Sequence, residues 1–311
     1  MSVLVEKRRI AVQNATTIRE SPGDRVFLIG IYVFLSLILV AIAYPLIYIV
    51  SSSFSSYAAV EGNKVWLWPV QPTLLGYKAV FDDSQVVTGY LNSAFYTFFG
   101  TLLSVTLTVM MAYPLSHKDF WGRSVFIWAL LFALIFNGGL IPFYLVVKNL
   151  GMLDTRWALI VPTALGIFQV LLAKTFFQST IPNELYEAAQ LDGCGDVRFL
   201  ISIVLPLSKP ILAVLVLLYA IGQWNSYFNA LIFLNSQDLF PLQLILRSLL
   251  VLGGNQASMQ ALNPTQYQLF ETMKTLLKYS LIVVASIPVL LLYPLAQKYF
   301  VKGVMLGSLK E

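Results

Sequence analysis

Six stretches of the chain contain no Asp, Glu, Lys or Arg: residues 27–50, 84–115, 124–147, 157–173, 211–237 and 279–297. Each approaches or exceeds the ~20 residues that an α-helix needs to cross about 30 Å of hydrocarbon. Their apolar residues lack the alternation of a barrel strand, and a segment in lipid must pair its own backbone amides, so the pattern predicts helices. The expected fold class is all-α and membrane-embedded. A segment 1–26 precedes a six-helix transmembrane domain over 27–300, and a tail 301–311 follows.

Composition agrees. The chain is 58% hydrophobic and 11% charged, with a mean hydropathy of +0.76, against about 25% charged residues in soluble domains. Its net charge of +5 does not point to nucleic acid, because the cations are spread over loops between apolar stretches rather than gathered in one aromatic-interleaved stripe. A single cysteine, Cys194, forbids an internal disulfide and a thiolate metal cage. Lys7, Arg8, Arg9, Arg19 and Arg25 precede the first apolar stretch, which is too long for a signal core and reads as an uncleaved anchor.

Placing the N-terminus inside the cell puts 1–26, 116–123, 174–209 and 298–311 in the cytoplasm. Of the 20 Lys and Arg, 13 then lie inside and 7 outside, and this positive-inside excess favours that orientation. Two long outer stretches result, 51–83 and 238–278. Both carry Pro, Gly and aromatics, and Trp66 and Trp68 beside Pro69 suit an interfacial aromatic belt.

Several chemistries are missing. No G-x-x-x-x-G-K-[ST] sequence is present, so ATP phosphates have no P-loop here and nucleotide energy must come from a partner. His117, the one histidine, stands beside Lys118 and Asp119 and reads as a solvated loop residue. The apolar stretches lack the carboxylates that carry protons or sodium in ion-coupled pumps.

The distinctive segment is the cytoplasmic loop 178–210. Pro182 and Glu184 suit the first turn of a short helix, where proline costs nothing and an acid meets the positive dipole end. Gly193 can end that helix in a left-handed conformation. Leu185, Ala188, Ala189 and Leu191 form an apolar patch that a partner's groove can take. Glu184, Glu187, Asp192 and Asp196 make the loop acidic, which anionic lipid would repel and a basic protein would accept. A second helical turn is expected over 196–204, broken by Pro206 and Pro210.

Glu187, Ala188, Ala189, Gly193, Ile203, Leu205 and Pro206 reproduce the spacing E-A-A-x-x-x-G-x₉-I-x-L-P. On these residues the chain resembles the permease subunits of binding-protein-dependent ABC importers. It is similar in particular to the carbohydrate branch, which includes the smaller maltose-transporter permease and the oligosaccharide and polysaccharide permeases of Gram-positive bacteria. Residues 72–81, 136–144, 151–155, Trp224-Asn225 and 297–303 belong to the same pattern, whereas the tail 307–311 departs from the family's frequent ending.

The resemblance implies a type I importer-like bundle in a bacterial cytoplasmic membrane, with both termini in the cytoplasm. It implies two partner ATPase subunits that bind ATP and Mg, a second related permease, an extracytoplasmic solute-binding protein and a saccharide substrate. The helix containing Glu187 to Gly193 would be a coupling helix whose glutamate meets a basic residue of the ATPase, and this chain would hold no cofactor or metal of its own.

For the substrate path, the polar and aromatic residues within the apolar stretches are Asn137, Gln169, Gln223, Trp224, Asn225, Tyr227 and Asn229. Amides can satisfy sugar hydroxyls and aromatic faces can stack on sugar rings. The same groups also suit hydrogen bonds between helices, and both readings stand. An importer permease for a peptide or polyamine, or an ion-coupled carrier, remains the alternative.

Overall fold

The computed structural model describes residues 21–249 and 275–294, and every regular element among them is helical. In chain order these are α1 (Pro22–Ser53), α2 (Tyr57–Glu61), α3 (Leu75–Asp82), α4 (Ser84–Ser116), α5 (Arg123–Ile135), α6 (Leu140–Asn149), α7 (Trp157–Ile160) and α8 (Ile167–Thr180). After them come α9 (Asn183–Leu191), α10 (Asp196–Leu207), α11 (Lys209–Trp224), α12 (Phe228–Phe233), a 3-10 turn (Gln237–Leu239), α13 (Leu242–Arg247) and α14 (Thr275–Pro294). Of these, α1, α4 and α14 are each long and apolar enough to cross a membrane.

The first helix starts at a capping box, in which Ser21 Oγ accepts from Asp24 N and the Asp24 carboxylate accepts from Ser21 N, both at 3.1 Å. Its apolar side chains from Val26 to Val50 are exposed almost all round, and burial begins only at Ser51, Ser52 and Ser53. A helix apolar on every side belongs in lipid or against another apolar surface.

At the centre lies α4, which packs on α8, α11 and α13. Small residues let these helices approach closely. A Cβ at Gly89 would collide with the Ile245 side chain, and one at Gly100 would sit 2.8 Å from the Gln223 amide. Buried Tyr219 ties three segments together: its hydroxyl accepts from Gly166 N at 3.0 Å and shares a 2.7 Å hydrogen bond with Thr108 Oγ1. Toward the Ser84 end, Asn92 Nδ2 donates to Asp238 O at 2.7 Å, Tyr96 OH donates to Leu239 O at 2.8 Å, and Ser93 Oγ accepts from Leu242 N at 2.8 Å. The segment that follows α12 is therefore laid along α4 by polar side chains rather than by a sheet or a disulfide.

Three of the apolar stretches are not straight helices. The 124–147 stretch divides into α5 and α6, bent by 117° across 136–139. Gly139 sits at φ 85 and ψ 173, a conformation that only glycine adopts at low cost. Asn137 Oδ1 accepts from Gly139 N at 2.9 Å and fastens this reversal. The 157–173 stretch is broken between α7 and α8, and the 211–237 stretch between α11 and α12. The last stretch continues beyond 294, outside the described residues.

Pro206 does not end the loop's second helix. Residues Leu200–Val204 form a π turn in which Leu205 N donates to Leu200 O, and the helix runs on to Leu207. A wider turn makes room for a proline ring one turn later, and proline has no N–H to leave unpaired. The chain bends by 83° at Ser208 instead, and Pro210 stands in the first turn of α11, where proline is tolerated.

Candidate functional site

The loop helix forms as its sequence suggests. Pro182 stands at the N-cap of α9 in an extended conformation, and Glu184 occupies the first turn. Gly193 ends it at φ 73, and a Cβ there would meet nothing within 4 Å, so the backbone angle alone calls for glycine. Gly193 N donates to Gln190 O, and Cys194 N reaches back to Ala189 O, both at 2.9 Å, which satisfies two carbonyls of the last turn.

Its two faces differ. Glu184, Glu187, Ala188 and Asp192 are exposed, and Leu191 is 91% exposed. The expected four-residue apolar patch is divided, because Ala189 is buried with Tyr186, Phe199, Ile203 and Leu205 in one apolar cluster, while Leu185 and Leu191 stay outside it. On a helix Ala189 lies three residues from Tyr186, so both point to the bundle while Glu184, Glu187 and Leu191 share the opposite side. Pro206 is exposed, and Cys194 packs at the cluster's edge as a small apolar residue.

An aromatic file seats the inward face. Tyr186 OH donates to Asp196 Oδ1 at 2.8 Å, and this bond holds the phenol's proton on, raising its pKa. The Tyr186 ring stands 5.3 Å from Phe199 and 4.8 Å from His117, and His117 meets Tyr113 of α4 edge-on at 4.8 Å. His117 is thus half-buried between two tyrosines rather than solvated in its loop. Desolvation lowers its pKa below 6.5, partly opposed by Asp196 and Asp119.

The seven substrate-path candidates separate into two groups. Gln223 is buried and donates to Thr163 Oγ1 at 3.2 Å, and Trp224 Nε1 donates to Ala285 O at 2.9 Å while its ring meets Tyr90. Both hold helices together. Asn137 caps the reversal before α6, and Gln169 and Asn229 are half-buried. Asn225 and Tyr227 remain accessible at the break after α11. Around them the structure brings Gln243, whose Nε2 donates to Asn225 Oδ1 at 3.4 Å, and Arg247, whose guanidinium lies 5.9 Å from the Tyr227 ring centre. Both sit on α13, and no periodicity within the fifth apolar stretch indicates them.

Asp154 explains the 151–155 pattern. At φ 55 it donates its N–H to Phe233 O at 2.8 Å, while its carboxylate accepts from Ser236 Oγ, Ser236 N and Asn235 N. Those bonds hold its pKa below the usual carboxylate range and pin the turn before α7 to the end of α12.

Among the described residues no group of three or more His, Cys, Asp or Glu is arranged to hold a metal. The chain is similar to three proteins with named roles. It is 39% identical over 291 residues to the polygalacturonan/rhamnogalacturonan transport system permease protein YtcP of Bacillus subtilis, covering 92% of this chain and 99% of that one. It is 31% identical to the maltodextrin transport system permease protein MdxG of the same organism, covering 90% and 95%. In the crystal structure of a bacterial ABC transporter involved in the import of the acidic polysaccharide alginate, one chain superposes with a TM-score of 0.83 at 36% identity, over 91% of this chain and all of that one. The family model described as binding-protein-dependent transport system inner membrane component matches residues 85–306. The loop helix, the apolar bundle and these likenesses lead to one conclusion: the chain belongs to the family of inner membrane permease components of binding-protein-dependent ABC transport systems.

Proposed function

We propose that this chain is the permease subunit of an ATP-driven importer for oligosaccharides or polysaccharide fragments in a bacterial cytoplasmic membrane. The observation that carries the reading is α9, which is anchored on one side by Tyr186 and Ala189 and presents Glu184, Glu187, Ala188 and Leu191 on the other. Such a helix is a docking element for a protein with a basic groove. In this reading two ATPase subunits, which bind ATP and Mg, grip α9, and a related second permease completes the pore. An extracytoplasmic binding protein delivers the sugar to the outer loops. The domain over 27–300 crosses six times with both termini in the cytoplasm, the broken stretches counting as spans. Residues 178–210 form the coupling loop.

All three relatives named above carry carbohydrate in their names, which favours sugar over peptide or polyamine. Two of those names are of acidic polysaccharides. Arg247, beside the accessible Tyr227 face and the Asn225–Gln243 amides, fits that class. A guanidinium pairs with a uronate carboxylate, the ring stacks on the sugar and the amides meet hydroxyls.

The test is sugar-stimulated ATPase activity and uptake by the reconstituted importer, with trigalacturonate and its neutral methyl ester as probes. Arg247→Gln is expected to lower uptake of the acid about tenfold, the scale of a lost charge-assisted pair, while uptake of the ester changes less than about twofold. Equal losses for both probes would remove Arg247 from charge recognition. An importer that no saccharide stimulates would contradict the carbohydrate reading.

A further inference from the structure

The contact between α9 and α4 is flanked by two cavities. A cavity of about 320 Å³ opens on the side of Gln178, Ile181 and Asn183, and another of about 630 Å³ opens on the side of Met110, Phe120 and Gln190. Tyr113, His117 and Tyr186 line both. The three rings therefore stand as a partition between two voids, with centroid separations of 4.8 Å at each step. At one end Tyr186 is fixed to α10 by its bond to Asp196 and its edge contact with Phe199. At the other, Tyr113 lies in the last turn of α4, and His117 follows as that helix's C-cap, its N–H donating to Pro114 O at 3.2 Å.

Displacement of α9 along its docking face can reach α4 through α8, which precedes α9 in the chain and packs on α4, and in two further ways. One is the covalent route through α10 and α11, which contains the π turn and an 83° bend at Ser208. Both are places where a push is absorbed by rotation rather than passed on. The other is the ring file, where a displaced Tyr186 must move the imidazole because van der Waals contact resists compression, and the flanking cavities leave the file free to shift as a unit. The tyrosine hydroxyls are not required for this step, and the Tyr113 hydroxyl is buried without a hydrogen-bond partner among the described residues.

We propose that His117 is a positioning residue for transport: its ring passes movement of the ATPase-docking helix α9 to the spanning helix α4. This rests on the reading of α9 as the docking element. An aromatic ring is what the gap demands, since it meets Tyr113 edge-on and Tyr186 at a tilt and passes a push from one to the other. Histidine also brings a polar edge that tolerates the partly wet setting, which Lys118 lines on one side and Asp119 and Asp196 on the other.

The test is the number of sugar molecules taken up per ATP hydrolysed by the full importer in proteoliposomes, using the saccharide that best stimulates the wild-type ATPase. His117→Leu keeps bulk and removes the ring; it is expected to lower this ratio about tenfold, the upper range for a coupling residue that touches neither ligand. The thermal midpoint of the purified complex is expected to stay within a few degrees of wild type. His117→Phe, which restores a ring, is expected to recover at least half of the ratio. Should His117→Leu fail to assemble, Tyr113→Leu breaks the same file one ring further on and is read in the same way. A wild-type ratio in the leucine variant, a proportional loss of ATPase and uptake, or a phenylalanine variant no better than leucine would each overturn the proposal. Glu187→Lys in the same preparation separates the two levels. If it is as active as wild type, the docking reading itself fails; if it uncouples while the His117 variants do not, only the transmission role is lost.

Discussion

Glu187→Lys is expected to abolish sugar-dependent ATP hydrolysis and uptake while leaving the bundle folded. Glu187 is exposed on the free face of α9, and among the described residues its side chain makes no hydrogen bond, so reversing its charge leaves their packing intact. In the proposed assembly the same position is covered by the ATPase. A carboxylate paired there with a cation loses that partner and is replaced by a like charge, a change of about 2–5 kcal/mol at a desolvated interface. That corresponds to a loss of about 30-fold to several thousandfold in the affinity of the two proteins. Copurification of the ATPase subunits with the permease pair, followed by uptake measurement, checks it. Retained copurification with normal uptake would contradict the reading of α9 as the docking element.

Gly100→Leu is the second large effect expected, and it acts on folding rather than coupling. At Gly100, α4 lies close against the Gln223 side chain of α11. Even a single methyl there would lie 2.8 Å from Gln223 Cδ and Nε2 and 3.0 Å from Cγ. Gln223 cannot swing clear without giving up its bond to Thr163, and it is buried on all sides. Nearby, Tyr219 holds α4, α11 and the turn before α8 through Thr108 and Gly166, so forcing the two helices apart strains that junction as well. Overpacking of this kind costs about 1–3 kcal/mol, and more where a buried hydrogen bond is lost with it. The expected result is a strongly lowered melting temperature in detergent, or failure to accumulate in the membrane. Gly30→Leu serves as the control, because a Cβ at Gly30 meets nothing within 4 Å. A wild-type melting temperature for Gly100→Leu would contradict the helix packing described.

The long helices were legible because lipid imposes one simple rule on sequence: about 20 residues without charge. That rule locates α1, α4 and α14 within a few residues. It is blind to direction. Phe136-Asn-Gly-Gly139 is as free of charge as the residues around it, so hydropathy passes through a 117° reversal without a signal. The glycine pair and Asn137 were the available clue, and Asn137 Oδ1 accepts from Gly139 N at the turn.

Within the loop, local signals placed α9 because they act locally: Pro182 starts it, Glu184 meets its dipole, and Gly193 can take φ 73. The apolar patch was drawn one residue too wide, and helical geometry divides it, since Ala189 must follow Tyr186 inward. His117 lay beyond any local rule. Its neighbours Lys118 and Asp119 are those of a surface residue, and only the tertiary fold brings Tyr186, 69 positions later in the chain, against its ring. Arg247 was equally hidden, a cation in a long loop until α13 laid it near Tyr227.

Everything functional depends on α9 facing the cytoplasm. Leu191 is the position for a probe, being 91% exposed and free of side-chain bonds. With Cys194 replaced by Ser and Leu191 by Cys, a membrane-impermeant maleimide is expected to label inside-out vesicles and to leave intact spheroplasts unlabelled until they are permeabilised. Labelling of intact spheroplasts would place the docking helix outside the cell and contradict the account.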